Sequence, residues 1–351
     1  MRSHRWQWLI LLGLSALLMA GLEAVRLPAA LMIGPMLAAI LLVAGGGTLK
    51  LPQGFLLAAQ GVVGCLIAQA IPAAFLGEVR GHWPVFLAAI LWVIVASSFL
   101  GWFLARCRVL PGSTAVWGSS PGAATAMVFL AEAYGADERL VAFMQYFRVV
   151  LVSSSASVLA RVWTGAHSAH AQPAMVWFPP LAAKAFPPTL LLITVGVLLA
   201  RRFRIPAGPL LLPMVLGLLC QDTGLFILQL PPWLLALSYT LVGWGIGLRF
   251  SRAMLRHALG VLPRMTVSTL ALIAVCAVFG VVLSHVTGID PLTAYLATSP
   301  GGADSMAIIA SSTRVDMPFV MAMQASRFIT VLITGPYIAR FLARHIIPTG
   351  Q

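Results

Sequence analysis

Two residue pairs, Gln145 with Arg148 and Gln324 with Arg327, are the parts of this chain best suited to chemistry. The Gln-x-x-Arg spacing puts amide and guanidinium on one face of a helix, and each pair sits near the middle of an apolar run. An arginine at the centre of a membrane helix costs about 2.5–3.5 kcal/mol on insertion scales, so its recurrence demands compensation. In one reading each Arg holds an anionic solute or a moving carboxylate, in the bidentate geometry that guanidinium favours. In the other, each Arg satisfies carbonyls freed at a backbone break in its own neighbourhood. The breaks are Ser119-Ser120-Pro121-Gly122 and Thr298-Ser299-Pro300-Gly301-Gly302. Proline removes a donor and glycine permits almost any dihedral, so a helix interrupted there exposes carbonyls on one side and anion-attracting amides on the other. The hydroxyls of Ser119, Ser120, Thr298 and Ser299 add donors and acceptors. A packing kink is the simpler account, but recurrence with flanking hydroxyls favours a site, because irregular backbone at membrane depth needs a cavity or a partner.

Asp304 is the acidic residue placed within a membrane segment, and its counterpart is Thr125. It reads either as a coupling group for a proton or cation or as the salt-bridge partner of Arg327; buried charges usually neutralise one another, which favours pairing. Asp137 and Asp316 stand where helices begin and are expected to cap them. The His167/His170 pair lacks the further ligands of a metal site, and no Ser-His-Asp pattern, nucleotide loop or haem motif is visible. No metal, cofactor or enzymatic activity is therefore expected. The four cysteines (Cys65, Cys107, Cys220, Cys276) form no CxxC and read as small core hydrophobes.

The elements that must hold these residues are membrane helices. The 351 residues are 60% hydrophobic and 9% charged, against about 25% charged in soluble domains. A lipid bilayer is thus the first expected partner. The net charge of +13 resides at the ends of apolar runs, where it sets orientation; direct nucleic-acid binding is not expected. The basic start and apolar stretch at the N-terminus imitate a signal peptide, but further spans follow at once, so an uncleaved first helix is expected. Spans are predicted at 7–23, 28–46, 54–76, 84–105 and 140–160, and again at 186–200, 206–220, 232–248, 265–285 and 318–339. Two weaker segments, 113–133 and 292–312, carry the breaks and read as paired half-helices or re-entrant hairpins.

The chain is written twice. Pro121 maps to Pro300, Met127 to Met306, Asp137 to Asp316, Gln145 to Gln324 and Arg148 to Arg327 at an offset of 179, and Pro35-Met36 to Pro213-Met214 at 178. If both Pro-Gly segments enter and leave on one side, Lys50, Arg106, Arg201, Arg202, Arg204, Arg252, Arg256, Arg264 and Arg340 all face the cytoplasm. Five ordinary spans per copy is an odd number, so the copies are inverted. Fully crossing broken helices, with one non-spanning pre-repeat segment, give inversion too. The expected fold is an all-α polytopic membrane protein with two inverted repeats of about five spanning helices each, plus one Pro-Gly-broken or re-entrant helix per repeat. The expected division is a first helix (1–26), repeat 1 (27–163), a linker (164–185), a pre-repeat helix (186–204) and repeat 2 (205–345).

The twice-written pattern Pro-Gly-Gly/Ala-x-x-x-Met, a turn ending in Asp, and Gln-x-x-Arg resembles the membrane AbrB family, which is defined by this duplication. Pro300-Gly301-Gly302 with Met306 and Pro121-Gly122-Ala123 with Met127 carry the match over roughly residues 27–345; Gly135-Ala136-Asp137 fits the turn, whereas Arg314-Val315-Asp316 lacks its glycine. Family members are often labelled ammonia monooxygenase or AbrB-type regulator. The resemblance implies an influence on gene expression from the membrane, and no residues here fit the monooxygenase label. The residues favour a secondary-transporter-like protein of a bacterial-type inner membrane, multi-pass, binding or moving a small, anionic solute at a midplane site between the repeats. A non-transporting regulator acting through a partner is the alternative. Nothing in the sequence indicates an oligomeric state.

Overall fold

The computed structural model describes residues 4–24, 29–71, 75–107, 112–164, 177–182, 185–302, 306, 309–310, 313 and 315–346. All regular structure among them is helical: α1 (His4–Ala24), α2 (Ala30–Ala44), α3 (Gln53–Gln69), α4 (Phe75–Gly81), α5 (Trp83–Arg106), α6 (Gly112–Ser119), α7 (Ala124–Ala133), α8 (Glu138–Thr164), α9 (Phe186–Arg202), α10 (Gly208–Asp222), α11 (Pro232–Gly247), α12 (Arg252–Thr287), α13 (Pro291–Thr298) and α14 (Met317–Ile346). Five helices are long and apolar enough to cross a membrane: α1, α5, α12 and the stretches Glu138–Ala160 of α8 and Met317–Leu342 of α14. At 1.5 Å per residue the shortest matches a hydrocarbon core of about 30 Å. The chain is an all-helical membrane protein.

Lipid-facing surfaces confirm that character. On α5, Leu87, Leu91, Val95, Phe99 and Phe103 form an exposed apolar stripe, while Phe86, Ala89, Ile90, Val93, Ser97 and Gly101 are buried on the other side. A soluble helix would carry polar residues on its exposed face.

A helix lies at each of the ten positions expected for spans, five of them long and apolar enough to cross, and three places depart from expectation. The third stops at Gln69 rather than 76, because Ala70-Ile71 leads into Pro72 and the residue before proline is steered out of helical dihedrals. The fourth is preceded by the short α4, and Pro84 stands in the first turn of α5. The equivalent Pro263 instead lies inside the 36-residue α12, which begins 13 residues ahead of the expected start at 265 (265 − 252). Both half-helix expectations at the first break hold, as α6 and α7 with four residues between them.

Two compact units divide the molecule, and each takes residues from both copies of the repeat: 1–69 with 172–257, and 70–171 with 258–351. In the first, α3 packs on α10 and α11 on α2, with α1 against α2 and α9 against α10. The contacts are reciprocal. A Cβ at Gly64 would lie 2.2 Å from the Leu210 carbonyl oxygen, and one at Gly243 would lie 2.7 Å from that of Met32, the same crossing made by equivalent residues. Small residues let backbones approach this closely in membranes. Both α2 and α10 begin from an alanine in the left-handed region, Ala29 at φ 58° and Ala207 at φ 51°, and both carry an internal proline, Pro35 and Pro213.

In the second unit, α6 packs on α5 and α8, α7 on α8, and α13 on α14. Glycines again set the approach. A Cβ at Gly101 would sit 3.1 Å from Val116 Cα, and one at Gly280 the same 3.1 Å from Tyr295 Cα. These contacts seat α6 and α13, the helices that lead into the two breaks. Residues 125–131 of α7 and 292–298 of α13 are buried on every side.

Candidate functional site

Every candidate site residue that the structure describes lies in the second unit. At the first break α6 ends at Ser119, and the carbonyls around it lose the amides that a continuing helix would supply. The side chains of α8 replace them. Gln145 Nε2 donates to Trp117 O (2.8 Å) and Ser120 O (3.0 Å), and Arg148 Nη1 donates to Ser119 O (3.2 Å) and Ser120 O (2.8 Å). Arg148 Nη2 donates to Gln145 Oε1 (2.6 Å), tying the pair together.

The second break is clasped in the same way. Gln324 Nε2 donates to Leu296 O (2.8 Å) and Ser299 O (3.2 Å), and Arg327 Nη1 donates to Ser299 O (2.5 Å). Arg327 Nη2 donates to Gln324 Oε1 (2.5 Å) and Gly301 O (3.1 Å). Of the two readings offered by the sequence, both arginines therefore satisfy the carbonyls of their own break. Each guanidinium sits at the C-terminal end of a half-helix, where the dipole favours a cation.

The symmetry then fails at one atom. Arg327 Nε crosses to the other copy and donates to Pro121 O at 2.9 Å, so the two breaks adjoin. Arg148 Nε is buried with no partner among the described residues. The two arginines are 3% and 4% exposed, and the ion pair among the described residues joins Arg139 to Asp137 instead. Asp304 lies outside the described residues, and so does its expected pairing with Arg327.

The hydroxyls divide likewise. Ser120 Oγ donates back to Val116 O (2.8 Å) and Thr298 Oγ1 to Ala294 O (2.9 Å), each within its own helix turn. Thr125 Oγ1 is 3.0 Å from the Tyr146 hydroxyl. Ser119 faces a cavity of about 20 Å³ that is also lined by Arg148, Met144, Met265, Ser268 and Thr269. Pro121, Gly122, Pro300 and Gly301 are buried, and Gly302 is half-buried. No side chain caps the N-terminus of α7. Asp137 accepts from the amides of Arg139 (3.0 Å) and Leu140 (3.5 Å), and Asp316 from that of Phe319 (3.0 Å), as caps do. Thr114 Oγ1 and Thr293 Oγ1 in turn each accept an aspartate amide at 3.2 Å, from Asp137 and Asp316 respectively. Among the described residues no group of three His, Cys, Asp or Glu could hold a metal.

Sequence reasoning missed Ser268 and Thr269 of α12. Their signal was two adjacent hydroxyls where the other copy has Ala89 and Ile90. It also missed Tyr146, whose partner Thr125 was noted only as the counterpart of Asp304.

The family model described as transition state regulatory protein AbrB matches residues 31–343. The chain is 45% identical over 342 residues to a protein of Escherichia coli (strain K12) named "Putative regulator AbrB", covering 97% of each. It is 26% identical over 296 residues to "Uncharacterized protein YhjN" of Bacillus subtilis (strain 168), covering 81% of this chain and 77% of that one. None of these descriptions is that of an enzyme. With a family model spanning most of the chain and a full-length relative at this identity, the protein belongs to the AbrB family.

Proposed function

We propose that this protein is a carrier of the inverted-repeat kind, resident and multi-pass in a bacterial inner membrane, which binds and moves a small anionic solute where its two broken helices meet. The observation that carries the reading is Arg327, whose guanidinium holds Ser299 and Gly301 of one break and Pro121 of the other. One side chain thereby senses the position of both breaks. Discontinuous helices meeting at membrane depth are the usual setting of a solute site in secondary transporters, and two buried guanidinium groups favour an anion there. The reciprocal Gly64/Leu210 and Gly243/Met32 crossings fit a pseudo-twofold axis relating the copies, which inversion requires.

The test is uptake by purified protein in liposomes, screened across labelled small carboxylates and inorganic anions. Accumulation that Arg327→Met abolishes is expected. Absence of both uptake and binding across the panel overturns the proposal. A membrane regulator acting through a partner is the competing reading, carried by the name of the E. coli relative. Altered transcription in a deletion strain, restored by a transport-dead variant, would favour it.

A further inference from the structure

We propose that the cavity beside Arg148 is a binding site for one small monovalent anion of chloride size, present beside the arginine of the first copy and closed beside that of the second. This names the solute class of the proposed carrier and rests on that reading for what the ion does, though not for whether it binds.

The space lies among α5, α6, α8 and α12, all within one compact unit. Arg148 brings a full positive charge to it. Both Nη atoms make bonds to the break or to Gln145, and Nε is the guanidinium nitrogen that makes none among the described residues, although it is buried. A buried donor of a charged group left unsatisfied is costly, so an acceptor belongs there. Ser119, Ser268 and Thr269 line the same cavity, and none of their hydroxyls has a hydrogen bond among the described residues. Their neighbour Thr266 behaves as most membrane threonines do and returns its hydroxyl to Leu262 O at 2.9 Å. Hydroxyls rotate freely, so all three can donate toward one negative centre. The volume of about 20 Å³ exceeds the roughly 10–15 Å³ that admits a water. A space of that size admits one small ion.

The equivalent stretch of α5 shows what a closed version looks like. Met265, Ser268, Thr269 and Leu272 correspond at an offset of 179 to Phe86, Ala89, Ile90 and Val93. These four are apolar and at most 8% exposed, and Phe86 meets Phe319 edge to face at 5.4 Å. The donor equivalent to Arg148 Nε is already spent on Pro121 O. Space and donor vanish together beside one arginine and persist together beside the other. Simple packing drift between repeats would not couple them.

The experiment is equilibrium binding of radiolabelled chloride to the purified full-length protein, in detergent and gluconate buffer. Saturable binding near one ion per chain is expected, displaced by bromide and nitrate but not by sulfate. Ser268→Ala with Thr269→Val should weaken it at least about tenfold, the loss of hydrogen bonds to a charged group. Met265→Phe, which copies the ring found at Phe86, should abolish it. Ala89→Ser with Ile90→Thr, at the equivalent positions of α5, should leave it unchanged. No saturable binding, as when the cavity holds water, or binding indifferent to both α12 variants, overturns the inference. Chloride binding of the expected pattern without solute uptake in liposomes refutes the carrier and leaves the ion site standing. Uptake without chloride binding does the reverse.

Discussion

Replacing Arg327 by methionine should destabilise the protein more than the same change at Arg148, although the sequence treats the two as equivalents. Arg327 makes four hydrogen bonds, to Pro121 O, Ser299 O, Gly301 O and Gln324 Oε1. Ser299 O keeps Gln324 Nε2 at 3.2 Å, so Arg327→Met orphans three acceptors: two carbonyls and the amide oxygen. Arg148→Met orphans two, Ser119 O and Gln145 Oε1, because Ser120 O keeps Gln145 Nε2 at 3.0 Å. Each orphaned buried acceptor costs about 1–3 kcal/mol. The gross losses are then about 3–9 and 2–6 kcal/mol, each reduced by the desolvation that a buried guanidinium no longer incurs. That reduction is similar at the two sites and cancels in the comparison. The difference of one acceptor predicts that Arg327→Met is the worse by about 1–3 kcal/mol. The assay is unfolding of wild type and both variants in mixed dodecylmaltoside and dodecylsulfate micelles, in halide-free gluconate so that no bound ion adds to Arg148. Equal losses, or a greater loss at Arg148, would refute the asymmetry argued from Pro121.

Ala29→Gly and Ala207→Gly should each raise the unfolding midpoint, by about 0.5–1 kcal/mol, since left-handed dihedrals cost an L-residue about 1–2 kcal/mol and glycine returns part of that as entropy; a lowered midpoint would contradict the strain. Gly64→Ala and Gly243→Ala should each cost about 1–3 kcal/mol or more, because the new Cβ meets a backbone oxygen at 2.2 and 2.7 Å, while Gly13→Ala, with nothing within 4 Å, should cost nothing in the same micelles. A double-mutant cycle of Thr125→Val and Tyr146→Phe should show coupling of about 1 kcal/mol, and strict additivity would mean the bond contributes nothing. Cysteines introduced at positions 50 and 201 should label with membrane-impermeant maleimide from the cytoplasmic side, and those at 165–175 from the other; cytoplasmic labelling of the 165–175 stretch would rule out inversion.

Much of the scaffold could be read from residue types alone. Apolar runs located the ten long or span-matched helices, and Ser119-Ser120-Pro121-Gly122 located the gap between α6 and α7. The Gln-x-x-Arg spacing gave the clasp, because a buried guanidinium needs acceptors and the breaks are where carbonyls lie free. What the sequence could not convey was which copy departs from symmetry. Arg148 and Arg327 are written alike, and whether a given Nε meets Pro121 O or empty space depends on ångström-scale placement of α6 relative to α14. Ser268 and Thr269 were hidden differently: a lone hydroxyl in a membrane helix usually bonds its own backbone, as Thr266 does, so their idleness shows only in three dimensions. The continuation of α12 through Pro263, where Pro84 instead starts a helix, has no account in the local residues.

The interleaving of the two compact units has a consequence for biosynthesis. Cys65 Sγ and its acceptor Pro213 O are 148 residues apart in the chain, and the glycine face of α3 has its partner only when α10 emerges. At about 5–20 residues per second of synthesis, the first three helices wait roughly 7–30 s in the bilayer with a groove shaped for a backbone that does not yet exist. During that interval the nascent chain is a substrate for membrane quality-control proteases and insertase chaperones. Codon choice between residues 70 and 207 should therefore affect yield far more than codon choice after 260.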